Sequence, residues 1–220
     1  MIRDGLARVE ERIARAAERA GRRRDEITLV GVSKVKPASA IREAYEAGLR
    51  HFGENYVQEF AAKRAELGDM PEAVFHMIGH LQSNKARAAA ELFDVVETVD
   101  TARLAQRLSA AGRRLRVLIE VRMGNEETKS GVEEKDLPAL VETVQSLAGL
   151  ELAGLMVIPP WTEDGETSRP YFRRLRELGT RLGLPELSMG MSNDFEVAIE
   201  EGATLVRVGT AIFGARKAKA

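Results

Sequence analysis

A lysine stands at the end of an apolar run near the start of the chain. In ITLVGVSKVKPASA, residues 27–40, the apolar residues lead into Ser33 and Lys34, and a second lysine, Lys36, precedes Pro37. A partly desolvated lysine amine has a lowered pKa and can attack a carbonyl to form a Schiff base. The alternative is a solvated lysine where a strand meets a loop, so the surroundings of Lys34 decide between the two.

Two glycine-containing segments near the end of the chain have the composition of phosphate-binding loops. GMSND supplies Gly190 and the Ser192 hydroxyl, and VGTAIFG supplies Gly209 and the Thr210 hydroxyl. Each segment leads into a predicted helix, whose first backbone N–H groups attract anions. The alternative is that these glycines only form tight turns, but two segments of the same chemistry favour a phosphate site.

The composition excludes several classes of protein. The formal net charge is −1, so no overall basic charge indicates nucleic-acid binding. The absence of cysteine excludes disulfides, thiolate catalysis and cysteine-ligated zinc, and it fits a cytoplasmic location. No segment approaches the roughly 18 uncharged residues of a membrane span, and the N-terminus lacks the apolar core of a signal peptide. We expect a cytoplasmic protein with no membrane or nucleic-acid partner.

The chain alternates between strand-like and helical segments. Residues 1–21 have helical spacing of apolar residues and end at Gly21, which predicts an outer N-terminal helix. Eight strands are predicted after it, each followed by a helix or helical turn: ITLVGVS, LRHFG, VFHMIG, VVETV, RVLIEV, ELAGLMVI, ELSMG and TLVRVG.

This alternation implies parallel strands joined by crossover helices. Eight such units in 220 residues predict an α/β protein with a (β/α)₈ TIM barrel, and the competing fold is a flavodoxin-like or Rossmann sheet. No Pro/Ser-rich linker divides the chain, so we predict a single domain over residues 1–220, with the barrel over 27–214.

Three helix starts are predicted in detail. The segment 133–149 is predicted to be one helix. Another helix, ARLAQRLSAAG, is predicted to be capped at its start by Asp100 or Thr101. A helix is also predicted to begin at Asn193, with Glu196 at the position of a capping box.

A barrel places its working residues at the carboxyl ends of the strands, where the loops after strands seven and eight commonly bind phosphate. Lys34 would lie opposite that phosphate site, and this pairing is what pyridoxal phosphate (PLP) requires. Lys34 is preferred to Lys36, because Pro37 indicates that the chain has left the strand. No metal site is predicted, since His76 and His80 straddle a strand end.

Several motifs, in order, closely resemble those of the pyridoxal phosphate homeostasis proteins. They are VGVSKVKPASAI, FGENYVQEF, HMIGHLQSNKA, GLMVIPP and LSMGMSNDFEVAIEEGATLVRVGTAIFGAR. The resemblance covers nearly the whole chain and implies a fold-type III PLP-binding barrel related to the N-terminal domain of alanine racemase. It also implies that the protein buffers or delivers PLP and influences vitamin B6 and amino-acid balance. PLP-dependent apo-enzymes are the candidate recipients, and we expect a monomer.

The resemblance also implies contacts with PLP at individual positions. Lys34 would form the imine with PLP, and Arg207 would face the pyridine nitrogen. The other implied contacts are Asn55 beside the cofactor, Ile78 and Met156 near the ring, and Ser192, Gly209 and Thr210 at the phosphate.

An arginine at the pyridine nitrogen indicates weak catalysis, because it disfavours the ring proton that strong PLP catalysis uses. Racemases of this type add an acid/base from a separate domain, whereas this sequence ends at Ala220. We therefore expect a PLP carrier without strong catalytic activity. The alternatives are a small PLP-dependent racemase or lyase, and a barrel enzyme that forms a sugar-phosphate Schiff base. The polar loops near Lys129 and Trp161 are candidates for gating the site or contacting a partner.

Overall fold

The computed structural model describes residues 1–124 and 130–214, and its central feature is a closed barrel of eight parallel strands. The strands are β1 (Thr28–Val32), β2 (His51–Glu54), β3 (Val74–Met77), β4 (Val95–Val99), β5 (Leu115–Glu120), β6 (Leu150–Met156), β7 (Glu186–Ser188) and β8 (Leu205–Val208). Each strand pairs with the next in the chain, and β8 pairs with β1. The predicted α/β TIM barrel is confirmed, and the competing open sheet is wrong because the barrel closes.

Each strand is followed by a helix. The helices in the described part of the chain are α1 (Ile2–Arg19), α2 (Ala38–Glu46), α3 (Val57–Leu67), α4 (Ala86–Leu92), α5 (Ala102–Ser109), α6 (Leu137–Ser146), α7 (Arg169–Leu182), α8 (Phe195–Glu200) and α9 (Thr210–Phe213). None of these helices has the length and apolar character needed to cross a membrane.

The N-terminal helix α1 packs on the outside of the barrel against α8 and α9, as the sequence predicted. Its apolar stripe is buried at Ile2, Leu6, Val9 and Ile13. Gly5 permits a close approach, because a Cβ atom there would lie 2.8 Å from the carbonyl oxygen of Ala211. Helix α1 therefore supports α9, whose first residue, Thr210, belongs to the second predicted phosphate loop.

The predicted helix over 133–149 is too long at its start, since α6 begins at Leu137. Pro138 lacks the backbone N–H that a helix begun at Glu133 would need to donate to the Glu134 carbonyl. The cap prediction is confirmed at Thr101, whose hydroxyl accepts a hydrogen bond from the α5 backbone.

The predicted capping box at the start of α8 is wrong. The helix begins at Phe195, two residues after Asn193. Glu196 turns away from the backbone and accepts two hydrogen bonds from Arg12 of α1, at 2.8 and 3.2 Å. Asn193 remains in the loop, where its side-chain amide donates to the carbonyl of Thr162. The Glu196 carboxylate therefore forms an ion pair with Arg12 and not the local hydrogen bond of a capping box.

The barrel interior contains charged as well as apolar side chains. At the amino end of the barrel, Arg116 contacts Glu151 and lies 2.5 Å from Glu186. Nearer the carboxyl end, Glu97 and Arg207 are both buried. Buried charges require partners, so this part of the interior is organised by hydrogen bonds. Strand residues that form a small separate apolar cluster are Val95, Leu118, Ala153 and Met156.

Candidate functional site

A cavity of about 450 Å³ lies at the carboxyl ends of β1 and β8, beside the loops after β6 and β7. Five residues predicted from the sequence line it: Lys34, Ser192, Arg207, Gly209 and Thr210. They are far apart in the chain, and the closed order of strands brings them together because β8 pairs with β1. The structure thus places a lysine, an arginine and two hydroxyl groups around one space.

The other three predicted residues lie elsewhere at this end of the barrel. Asn55 follows β2 and lines a second cavity, of about 590 Å³, with His80 and Lys85. Ile78 is buried and packs against Gly53: a Cβ atom added to Gly53 would lie 2.8 Å from the Cδ1 atom of Ile78. Met156 is fully buried at the end of β6. The geometry groups five of the eight residues and separates Asn55, Ile78 and Met156 from the first cavity.

The loop after β7 is held in a conformation that requires glycine. Gly190 has φ +90°, and a Cβ atom there would lie 2.5 Å from the Cβ atom of Ala198. The Gly190 carbonyl accepts a hydrogen bond from the backbone N–H of Arg207, at 2.9 Å. The carboxylate of Asp194 accepts one from the backbone N–H of Met191, at 2.7 Å. These contacts fix the loop that carries Ser192.

Lys34 and Lys36 have different surroundings although they are two residues apart. Lys34 is partly buried and lines the cavity. The Lys36 ammonium donates hydrogen bonds to the carbonyls of Phe213 and Gly214, at 2.8 and 3.0 Å, where α9 ends. Between them, Val35 has φ +57°, a left-handed conformation that a β-branched residue rarely adopts. The turn therefore directs one lysine to the cavity and the other to the end of α9.

A buried ionic cluster lies beneath this turn. Lys63 of α3 contacts the carboxylates of Glu54 and Glu59, at 2.8 and 2.6 Å. The Ser33 hydroxyl donates to Glu54 at 2.7 Å, and the Val35 N–H donates to Glu59 at 2.6 Å. Burial raises the pKa of Glu54 above its ordinary value, and Lys63 opposes that effect. This cluster could not be predicted from the sequence, because it depends on how α3 packs against the turn.

Arg207 is anchored inside the barrel at several points. Its Nη1 atom donates to the Ser188 hydroxyl at 2.5 Å, and its Nη2 atom donates to the Val157 carbonyl at 2.9 Å. The Ser188 hydroxyl in turn donates to Oε2 of Glu97 at 2.5 Å. Burial raises the pKa of Glu97, but hydrogen bonds and opposite charges, from His76 above all, bring it below its ordinary value. Glu97 is therefore ionised beside the guanidinium.

The hydrogen bonds continue from Glu97 across β3 to β2. Nδ1 of His76 lies 2.7 Å from Oε1 of Glu97, and Nε2 of His76 lies 2.9 Å from Nδ1 of His51. Burial, followed by the influence of His76, lowers the pKa of His51 to about 4. His51 and His76 therefore belong to the same hydrogen-bonded network as Glu97. The described residues contain no group of three or more side chains placed to hold a metal ion.

A second buried carboxyl group, Glu120, lies at the carboxyl end of β5. Its Oε1 atom accepts a hydrogen bond from Ser130 at 3.0 Å, and its Oε2 atom is without a partner among the described residues. Burial raises the pKa of Glu120 above its ordinary value.

Of the two loops that were candidates for gating the site, the one near Trp161 reaches the first cavity. Trp161 lines this cavity and is 72% exposed, while Lys129 lies outside the described residues.

A closed parallel barrel with a lysine after its first strand and glycine loops after its last two defines a barrel of the alanine racemase type. A sequence model of the family described as alanine racemase, N-terminal domain, matches residues 5–217. A pyridoxal phosphate homeostasis protein of Pseudomonas aeruginosa is 51% identical, and the aligned region covers 98% of this chain and 96% of the relative's length. A protein of the same name from Aquifex aeolicus is 47% identical, over 96% of this chain and 97% of its own.

Solved structures of similar proteins have the same fold as this chain. PipY from Synechococcus elongatus PCC7942, solved with PLP bound, is 40% identical, has a TM-score of 0.86 and covers 97% of this chain and 100% of its own. Alanine racemase from Corynebacterium glutamicum shares the fold, with 21% identity and a TM-score of 0.67 over 97% of this chain and 61% of its own. The chain belongs to the alanine racemase N-terminal domain family and, within it, to the pyridoxal phosphate homeostasis proteins, as its motifs indicated.

Proposed function

We propose that this protein binds PLP and takes part in PLP homeostasis, with PLP held as an imine of Lys34. The observation that carries the proposal is the cavity that Lys34 shares with Ser192, Arg207, Gly209 and Thr210. Its relatives are named for PLP homeostasis, and PipY was solved with PLP bound. When bound, PLP supplies an electrophilic aldehyde and an electron-withdrawing ring.

The residues of the cavity fit such a ligand at both ends. The hydroxyls of Ser192 and Thr210, with the backbone N–H groups near Gly209, provide hydrogen-bond donors for a phosphate. Arg207 supplies a donor for the pyridine nitrogen and stays cationic, so it disfavours a proton on that nitrogen. Asn55 beside the cofactor, and Ile78 and Met156 near its ring, stay predictions that rest on the family resemblance, since these three residues do not line the first cavity. This donor set favours tight holding of PLP over strong catalysis.

One observation favours the alternative of a PLP-dependent racemase or lyase. Glu120 is a buried carboxyl with a raised pKa and an oxygen that lacks a partner among the described residues, as an acid/base group would have. Turnover of amino-acid stereoisomers by the PLP-loaded protein, above the background of free PLP, would establish that alternative. Loss of this turnover in Glu120→Gln, with PLP still bound, would assign the acid/base role to Glu120.

We also propose that the protein works as a cytoplasmic monomer of one domain and delivers PLP to PLP-dependent apo-enzymes. The packing of α1 on α8 and α9 supports the single domain, since the N-terminal residues join the barrel. Size-exclusion chromatography with light scattering tests the monomer. Transfer of PLP to an apo-enzyme, followed by the recovery of that enzyme's activity, tests delivery against the same amount of free PLP.

The proposal of PLP binding is tested by trapping the cofactor with borohydride and mapping the modified peptide. We expect PLP to give an imine absorbance band and the label to lie on Lys34. The matched variants are Lys34→Ala, which should lose the label, and Lys36→Ala, which should keep it. No band in the wild-type protein would overturn the cofactor assignment, and a label on Lys36 would overturn the choice of lysine.

A further inference from the structure

We infer that Glu97 and Ser188 are positioning residues that fix Arg207 and balance its charge beneath the ligand cavity. The inference rests on the proposed binding of PLP and adds to it a role for side chains that do not line the cavity. Arg207 is the point of contact between the two, because it lines the cavity and also enters the interior network.

The barrel fixes the orientation of the Arg207 side chain. Its side chain is 2% exposed, and both terminal nitrogens donate to fixed oxygens, Oγ of Ser188 and the carbonyl of Val157. Val157 follows β6, and Ser188 ends β7, so two neighbouring strands hold the guanidinium. A planar guanidinium with two donors fixed has little freedom to rotate. The direction in which its remaining N–H groups point is therefore set by the barrel.

The positive charge of Arg207 lies close to the carboxylate of Glu97. Oε2 of Glu97 accepts from Ser188 and lies 4.0 Å from Nη1 of Arg207. Its other oxygen, Oε1, faces Nδ1 of His76 at 2.7 Å. A carboxylate that accepts a hydrogen bond at each oxygen is stabilised in its ionised form. Glu97 thus places a negative charge against Arg207 where neither group is hydrated by bulk water.

The protons along the network fit one arrangement of donors and acceptors. Neutral His51 can donate from Nδ1 to Nε2 of His76, and His76 can then donate from Nδ1 to Glu97. Ser188 donates to Glu97 and accepts from Arg207. Each hydrogen bond in this arrangement pairs a donor with an acceptor, and Glu97 accepts the last hydrogen bond of both branches. The network therefore fixes Glu97 in the charge state that balances Arg207.

Other ionisable groups face Arg207 from the surrounding elements. Glu120 of β5 and Asp194, which precedes α8, act on Arg207 together with Glu97 of β4. His76 of β3 reaches it only through Glu97, and Lys34 after β1 shares its cavity. Among these, Glu97 is connected to the guanidinium through a single bridging hydroxyl. Its charge and the hydroxyl can be removed separately by substitution.

The experiment uses Glu97→Gln, Ser188→Ala and the control Thr98→Val in the full chain. Thr98 is the next residue of β4, equally buried, and its hydroxyl donates to the Gly79 carbonyl at 2.8 Å. Two quantities are measured for each protein. The first is the PLP dissociation constant, from the quenching of Trp161, the single tryptophan of the chain. The second is the pH midpoint of the absorbance change of the PLP-loaded protein.

Glu97→Gln keeps the shape of the side chain but leaves the cation of Arg207 unbalanced. We expect the pH midpoint to fall, so that the protonated fraction of the bound ligand decreases roughly three- to tenfold at a fixed pH. Ser188→Ala removes the bridge but not the charge. We expect it to weaken PLP binding about tenfold with little change in the midpoint. Thr98→Val should change neither quantity.

An unchanged midpoint in a folded, PLP-binding Glu97→Gln protein would overturn the inference. So would changes of the same size in Thr98→Val, because they would show general loosening of the barrel. If Glu97→Gln does not fold, Ser188→Ala decides alone, and wild-type affinity in that variant overturns the inference. Failure of the wild-type protein to bind PLP is a different result, since it rejects the proposed function itself.

Discussion

Lys63 donates a hydrogen bond from Nζ to the carbonyl oxygen of Ser33 at a distance of 2.9 Å. The lysine belongs to α3 and the serine directly follows β1, so this contact connects a crossover helix to the turn that presents Lys34. The same ammonium pairs with the carboxylates of Glu54 and Glu59, and Glu59 also accepts a hydrogen bond from the backbone N–H of Val35 in this turn. The turn is therefore held from below by an ionic cluster that is shielded from solvent.

We predict that Lys63→Met lowers the free energy of unfolding by about 3 kcal/mol, because it leaves the fully buried Glu54 carboxylate without its cation. Urea unfolding monitored by circular dichroism measures this change. The matched control is Arg87→Met, which removes one partner of an exposed pair with Glu91 and should change stability by less than about 1 kcal/mol. Equal effects of the two substitutions would contradict the role given to the cluster.

Val35 stores backbone strain in the same turn. At φ +57° the Cβ atom of Val35 lies too close to the following carbonyl oxygen. The residue is 54% exposed, so its side chain contributes little packing. We predict that Val35→Gly is more stable than Val35→Ala by about 1 kcal/mol, since only glycine removes the Cβ atom. Thermal and urea unfolding of the two variants make the comparison. A Val35→Ala protein as stable as Val35→Gly would show that the turn relaxes without cost.

The barrel and its helices could be predicted from the sequence because their signals are local. Apolar runs, apolar stripes at helical spacing and glycine stops each lie within about fifteen residues, and their alternation determines the topology. The errors at Glu133 and Glu196 are also instructive. The predicted helix start at Glu133 was wrong because Pro138 lacks the N–H that this longer helix needs. The predicted capping box at Glu196 was wrong because the Glu196 carboxylate binds Arg12, which is distant in the chain.

The site was predictable only as far as strand ends identify it. Lys34 and Arg207 follow or end predicted strands, so their meeting at one end of the barrel follows from the topology. The partners of Arg207 carry no such signal. Glu97 and Ser188 lie inside predicted strands, where polar residues have no local reason to be, and their pairing depends on the register of four strands. Buried polar residues within apolar strands are the feature to examine in such sequences.

His51 gives the fold a dependence on pH that can be measured. Its pKa is lowered from 6.5 to about 4, so between these values the unfolded chain binds more protons than the folded protein. The contribution of His51 to the free energy of unfolding is therefore fully present above pH 6.5 and is lost as the pH falls towards about 4. We predict that this loss is smaller in His51→Gln, by about 2 kcal/mol after allowing for partial solvent screening.

Urea unfolding at intervals between neutral pH and the lower midpoint tests this prediction. The control is His80→Gln, since the His80 side chain is 57% exposed and its nearest charged partner is Asp100, at 3.6 Å. That variant should follow the wild-type curve. A wild-type curve that is flat over this range, or that falls equally in His51→Gln, would mean that the buried histidine pair does not carry the dependence.

Gly190 connects backbone conformation to ligand choice. Its φ of +90° and the 2.5 Å distance from a Cβ atom to Ala198 leave no room for a side chain. Gly209 differs, because its φ is negative and the nearest atom to a Cβ there is the Val32 carbonyl oxygen, at 3.2 Å. We predict that Gly190→Ala displaces the loop bearing Ser192 and so removes part of the phosphate site.

The change should appear as a loss of discrimination between PLP and pyridoxal, which lacks the phosphate. In the wild-type protein, hydrogen bonds to the charged phosphate should favour PLP by at least about tenfold. Gly190→Ala should reduce that ratio to near one while pyridoxal binds as before, and Gly209→Ala should keep most of it. Quenching of Trp161 by each ligand measures both affinities. If Gly190→Ala weakens both ligands equally, the loop supports the whole cavity and does not act through the phosphate.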